Sequence, residues 1–430
     1  MKNNKLKSEK LKSISAVTLA ALLALSVAGC SKAEVSSEVA VTATQTASQA
    51  VASSAPSANS ATSSTPSTSE ASAAEASTTD TTELFSDRDL EQSADLTAAT
   101  QMKLVSNQDV TLSTEGVYVL SGEVENVTVV VEAADDAKVQ IVLDGVSITN
   151  NDSPAIYVKA ADKVFVTSTG SENYMEVSGS YVADGETNLD AVIFSRADMT
   201  LNGTGTLDIV STQGNGISSK DDLKITGGVY TIQSAADAIE ANDAILINDG
   251  TITIDSGKDA LQSENEEDAT LGNIYIEGGT LNISAVDDAI RGNNLVQIDG
   301  GTINIETSEE GIEANNIKIN EGQIKLYAKN DGINASQKVS SNVSIEVNGG
   351  TIDVSMGSGD TDAFDSNGDI SINGGTINVE ATSAFDADGT AQLNGGTVTV
   401  NGEKITEITQ SRGGGGGGRG GMGGGGGMGH

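Results

Sequence analysis

Between residues 203 and 402, apolar and polar positions alternate in short runs that break at glycine. Thr251-Ile252-Thr253-Ile254 and Ile245-Leu246-Ile247 place apolar side chains on one face at period two. An Asp-Ala-Ile segment, as in Asp237-Ala238-Ile239, recurs between such runs with the same parity. Gly-Gly, Asn-Gly and Asn-Asp pairs separate the runs, and these residues accept the positive φ of tight turns. The opening glycines fall at 205, 228, 250, 279, 301, 322, 350, 375 and 396, so the units are 21 to 29 residues long. A repeat of that length predicts a solenoid, in which each unit buries its apolar face only against its neighbours. There is no room for a helix. Three short strands per rung, with glycine and asparagine at the corners, predict an all-β fold, a single-stranded parallel β-helix. Its rungs rise about 4.8 Å each, so eight clear copies span roughly 40 Å.

Stacking turns sequence columns into physical rows. The predicted interior row is Ile217, Ile239, Leu261, Ile290, Ile312, Ile333, Phe364 and Phe385. A turn row precedes it: Asn215, Asp237, Asp259, Asp288, Glu310, Asp331, Asp362 and Ser383. The outward row is Ser218, Glu240, Gln262, Arg291, Glu313, Asn334, Asp365 and Asp386. A corner row follows: Lys220, Asn242, Glu264, Asn293, Asn315, Ser336, Asn367 and Asp388. Its asparagines are expected to form a side-chain ladder, since asparagine bonds turn backbone readily.

The flanks differ in composition. Lys2, Lys5, Lys7, Lys10 and Lys12 precede an apolar run from about Ile14 to Ala28, the order of a secretion signal. The run ends Val27-Ala28-Gly29-Cys30, which resembles the bacterial lipobox. That resemblance implies acylation of Cys30 and a lipid anchor on the outer face of the membrane, with no transmembrane helix in the mature chain. Cys30 is the only cysteine, so no intramolecular disulfide is possible. Residues 30–83 are Ser, Thr and Ala with almost no large apolar side chain, and read as a disordered tether. Residues 84–202 carry less regular runs, such as Val127-Thr128-Val129-Val130-Val131, and Asp190-Ala191-Val192-Ile193 anticipates the later motif. They read as irregular first rungs and the cap of the same β-helix, with the repetitive part at 203–405. Residues 406–430 end in a glycine-rich tail, expected to be flexible.

Charge narrows the function. The formal net charge is −38, and a chain beginning at Cys30 has 18 bases against 60 acids, or −42. Such a surface repels phosphate, which excludes nucleic acid as a partner. The one histidine is His430, so histidine chemistry in the folded part is excluded. Tryptophan is absent and aromatics are 3%, so no broad stacking platform is evident. Stacked carboxylates repel unless a cation bridges them. Hard oxygen ligands in a flexible array suit Ca²⁺. The candidate ligands are Asp221, Asp222, Asp237, Glu240, Asp259, Asp288, Glu313, Asp331, Asp362, Asp365 and Asp386. Gln262, Arg291 and Asn334 are the candidate ligand-contacting residues on the outward row. The repeats match neither the Gly-Gly-x-Gly-x-Asp calcium roll nor the EF-hand loop.

The segment from Gly216-Ile217-Ser218-Ser219-Lys220-Asp221-Asp222 to Gly227-Gly228 resembles the signature of a secreted bacterial carbohydrate-binding family. The Asp-Ala-Ile and Asp-Gly-Ile repeats and Ala155-Ile156-Tyr157-Val158 share that resemblance, which spans about 100–402. It implies a right-handed parallel β-helix shaped like a pectate lyase, calcium bound along it, and binding of cellulose or acidic sugars without established catalysis. It supports Asp237, Asp259, Asp288, Asp331 and Asp362 as the repeated acidic position, from which Glu310 and Ser383 depart. The expected function is calcium-dependent binding of polysaccharide at the cell surface. A lyase needs a base beside the uronate, for which Lys220, Lys258 and Arg291 are the candidates. A hydrolase needs paired carboxylates. Asp221-Asp222 and Asp287-Asp288 are pairs in sequence, but adjacent strand residues point to opposite faces. A structural adhesin is the third reading, since anchor, tether and rod suit it equally well.

Overall fold

The computed structural model describes residues 84–359 and 361–409. Cys30, the tether and most of the glycine tail lie outside them.

The rungs stack as a parallel β-solenoid of about 12 turns. One face is a 12-stranded sheet of short strands, one per rung, running from Val110–Leu112 to Ser383–Ala387. The other two faces belong to a 22-stranded sheet. In the rungs with Leu223–Ser234 and Ala244–Ser256, one long strand bends through a bulge and covers both of those faces. From Asn273–Ile276 and Thr280–Ala285 onward, the chain breaks at the Gly-Gly corner instead. The last strand, Glu403–Ile405, folds back antiparallel on Thr397–Val400, and Ile405 and Ile408 pack against the end of the core.

The predicted rows are the observed registers. Ile217 pairs with Ile239, then Leu261, Ile290, Ile312, Ile333, Phe364 and Phe385 follow in unbroken order. All of these are buried. Each contributes about 1.5–3 kcal/mol by leaving water, and Phe364 and Phe385 stack with ring centroids 5.1 Å apart. Ile156 and Ile193 extend the column upstream, so the irregular stretch shares the later rungs' core.

Two corner expectations change. The first rung's positive φ falls at Gly203 (φ 112°), not Gly205. Gly205 serves close approach instead, since a Cβ there would lie 1.4 Å from the Thr169 carbonyl oxygen. The asparagine ladder forms at the Gly-Gly corner. Asn394 donates to Asn373, Asn373 to Asn348, Asn348 to Asn320, and Asn320 to Asp299, at 2.5–2.9 Å. At the corner where it was expected, Asn315 Oδ1 instead accepts the backbone N–H groups of Lys338, Val339 and Ser340. Loops of varying length leave that corner, so its amides cap loops. The Gly-Gly corner keeps one geometry, so its amides stack.

Residues 84–92 form a strap across the outside of the 22-stranded sheet. Ser86 and Asp89 make a capping box around the short helix Asp87–Leu90. Asp89 is 1% exposed, with Lys163 Nζ at 2.7 Å, Lys224 Nζ at 3.9 Å and the Thr200 hydroxyl donating at 2.6 Å. Burial alone would raise its pKa. The Lys163, Thr200 and Ser86 donors overrule that and hold it at about 2. Among the described residues, no helix is long and apolar enough to cross a membrane.

Candidate functional site

The turn row is a ladder with a definite chemistry. The backbone N–H of each acid donates to the side chain one rung back: Asp237 to Asn215, Asp259 to Asp237, Asp288 to Asp259, and Glu310 to Asp288, at 2.9–3.2 Å. The same bond joins Asp362 to Asp331 Oδ1 at 3.0 Å, and the Ser383 hydroxyl donates to Asp362. The Oδ1 atoms of Asp237, Asp259, Asp288 and Asp331 therefore do turn work, while Asp259 Oδ2 meets Arg291 and Asp331 Oδ2 accepts from the Asn330 amide. Glu310 breaks the pattern. Its longer side chain takes the amides of Asn330 and Asn334 at 3.2 and 2.8 Å.

The densest part surrounds Asp288. Carboxylate oxygens of Asp259, Asp287 and Asp288 lie within 4.8 Å of one another, as do those of Asp288, Glu310 and Glu313. Arg291 stands between the two groups, 3.3 Å from Asp259 Oδ2, 4.0 Å from Asp288 Oδ2 and 3.3 Å from Glu313 Oε2. Lys338 Nζ is 2.7 Å from the same Glu313 oxygen. Burial and neighbouring acids push Asp259 up to about 6 and Glu310 up to about 7, and raise Asp288 further. Asp287 escaped the sequence reading because strand alternation was applied to it. It sits in the turn before Ile290–Gly292, where alternation does not hold.

The other predicted residues fall into three places. Glu240 is held by Asn215, Ser218 and Lys220 at 2.7, 3.0 and 3.3 Å, beside Asp237, whose pKa burial raises most and the charge of Glu240 raises further, against the opposing charge of Lys258. Gln262 donates to Glu264 at 3.3 Å. With Lys220 and Glu240 it lines a polar cleft of about 650 Å³, walled by the insertion at 264–271. Toward the C-terminal end, Asp365 is pushed up to about 7 by burial and by the charges of Asp331, Asp362, Asp386 and Asp388. Asn334, buried between these groups, leaves its Oδ1 without a hydrogen-bond partner. Asp221 and Asp222 stand apart. They sit at the next corner, where burial and the charges of Asp198 and Asp243 raise both to about 6.

The sequence profile of carbohydrate-binding domain-containing proteins matches residues 106–363, which takes in the whole acidic ladder from Asn215 to Asp362. The chain belongs to this family. A carbohydrate-binding domain-containing protein of Acetivibrio thermocellus is 36% identical over 132 residues, 30% of this chain and 46% of that one. The chain thus spans about half the length of this curated relative. A polysaccharide lyase-like protein from C. thermocellum, solved as a gadolinium derivative, superposes with a TM-score of 0.43 at 29% identity, over 48% of this chain and 94% of that one.

Proposed function

We propose that this carbohydrate-binding chain holds acidic polysaccharide through Ca²⁺ without catalysing its breakdown, and that an acyl chain on Cys30 presents it at the outer face of a bacterial membrane. The carrying observation is the acidic ladder. One oxygen each of Asp237, Asp259, Asp288 and Asp331 accepts a backbone N–H, while carboxylates crowd around Asp288 and Asp365 with their protons held unusually tightly. A hard cation relieves that repulsion as a proton does. The orphaned, buried Oδ1 of Asn334, whose amide nitrogen is already given to Glu310, is a neutral oxygen donor beside the carboxylates, and fits such an ion. Asp237, Asp259, Asp288, Glu313, Asp331, Asp362, Asp365 and Asp386 would hold calcium. Glu240, Asp221 and Asp222 would contribute at the first clear rungs. A bound ion has coordination left for a uronate carboxylate, which explains how so acidic a surface could hold an anionic polymer. Gln262, Arg291 and Asn334 line the same outward row.

Two of the three candidate bases of a lyase are otherwise engaged: Arg291 with three carboxylates and Lys220 with Glu240. That favours binding over bond cleavage. Titration of Ca²⁺ into chelator-treated protein, followed by affinity electrophoresis in polygalacturonate with and without EGTA, tests the reading. Calcium binding, and retardation that EGTA abolishes, are expected. Unchanged retardation in EGTA would overturn calcium bridging.

A further inference from the structure

The two faces of the rung differ in what they offer a ligand. On the 22-stranded sheet, a row runs in continuous register from Thr206 through Val229, Thr251, Thr280, Thr302 and Gln323 to Thr351, Thr376 and Thr397. It contains no charged residue, in a chain of net charge −38. Two residues along each strand lies a parallel outward row, Asp208, Thr231, Thr253, Asn282, Asn304, Lys325, Asp353, Asn378 and Thr399, in which three members are charged. Hydroxyl and amide groups therefore repeat about every 4.8 Å along the first row from Thr251 to Thr397, and in the second row from Thr231 to Asn304. Neither row is covered by another part of the described chain, and most of these side chains are half-buried or exposed.

At its N-terminal end this face opens into a groove of about 620 Å³, lined by Ser147, Asn173, Tyr174, Thr206, Val229 and Thr231 among others. Val229 is 41% exposed at its edge. The Tyr174 hydroxyl donates to Glu176 at 2.6 Å, which fixes the ring. Glu123, Glu172 and Asp208 also border the groove and supply acceptors for sugar hydroxyls. Six rungs further along, about 29 Å by the strand spacing, Tyr327 is 40% exposed on the same face.

We propose that this threonine-rich face is a second glycan surface, which takes a neutral, hydroxyl-rich polysaccharide laid along the solenoid axis, anchored in the groove at Tyr174 and held without calcium. The proposal rests on the carbohydrate-binding reading and assigns a different face and a different ligand charge from the acidic ladder. A repeating row of donors and acceptors matches a polymer that repeats its hydroxyls. An anionic polymer finds on these two rows one cation, Lys325, against Asp208 and Asp353, too little to offset the chain's own charge. The exposed apolar groups are too far apart to form the patch that a protein partner needs.

The test is affinity electrophoresis of the full chain in neutral glucan, mannan and xylan, and separately in polygalacturonate, each with calcium and with EGTA. We expect retardation by at least one neutral polymer in EGTA, weakened tenfold or more by Tyr174→Ala and by Thr302→Lys. Calcium-dependent retardation by polygalacturonate should be unchanged in both variants. Thr302 is exposed, so its replacement does not disturb the core. Loss of neutral binding in Asp365→Asn, but not in these two variants, would overturn the assignment of the face. Binding of polygalacturonate with no neutral polymer bound would overturn this inference alone. Failure to bind any glycan would overturn the carbohydrate reading as well.

Discussion

Asp89 and Asp365 are both aspartates withdrawn from water, and their carboxyls move in opposite directions, to about 2 and about 7. Under the strap, Asp89 meets Lys163, Lys224 and three hydroxyl or backbone donors. On the short-strand face, the charges acting most on Asp365 are four other carboxylates. The first site is closed: the chain supplies its own counter-charge, as a structural ion pair must. The second is held short of positive charge, which is the condition of a site that takes its cation from solution. The stretch around Arg291 lies between these extremes, because one guanidinium is shared among three acids.

The largest effect should come from breaking the closed site. Asp89→Ala leaves Lys163 buried without its partner, and should cost about 3–5 kcal/mol at the strap. Amide hydrogen exchange of 84–92 and of the Lys163–Ser168 strand would read that loss, and unchanged protection would show that the ion pair does not hold the strap. At the open site, Asp365→Asn should behave oppositely. It removes a repelled charge, so the calcium-free protein should melt no lower than the parent, while calcium affinity falls about tenfold, or about 1.4 kcal/mol. Equal calcium affinity in the variant would take Asp365 out of the site. The smallest effect is with pH. The folded pKa of Asp365, about 7, exceeds its ordinary 3.8. Its proton-linked stability is therefore complete below 3.8 and lost as pH rises through 7. The calcium-free melting temperature should fall by a few degrees between pH 5 and pH 8, and saturating calcium should flatten that slope. Asp89, with its lowered pKa, contributes nothing to this window, since its stability is lost only as pH falls toward 2.

The acidic row was legible because a solenoid converts spacing into stacking. Asp237, Asp259 and Asp288 recur at one position of the repeat, and the register places them one above another. Asp287 was missed because the alternation rule was carried past the end of its strand. The strap was invisible for a different reason. Nothing in Ser86-Asp87-Arg88-Asp89 marks a residue that will meet Lys163, Lys224 and Thr200, three partners far away in the chain.

By itself the sequence determined the repeat, the interior column from Ile217 to Phe385 and the side on which the acids gather, because each depends on period and parity alone. The tertiary structure decided which acids share an ion pair, which corner carries the asparagine ladder, and where the strap covers the sheet. Those outcomes depend on loop lengths and on contacts between residues distant in the chain, which no local pattern encodes.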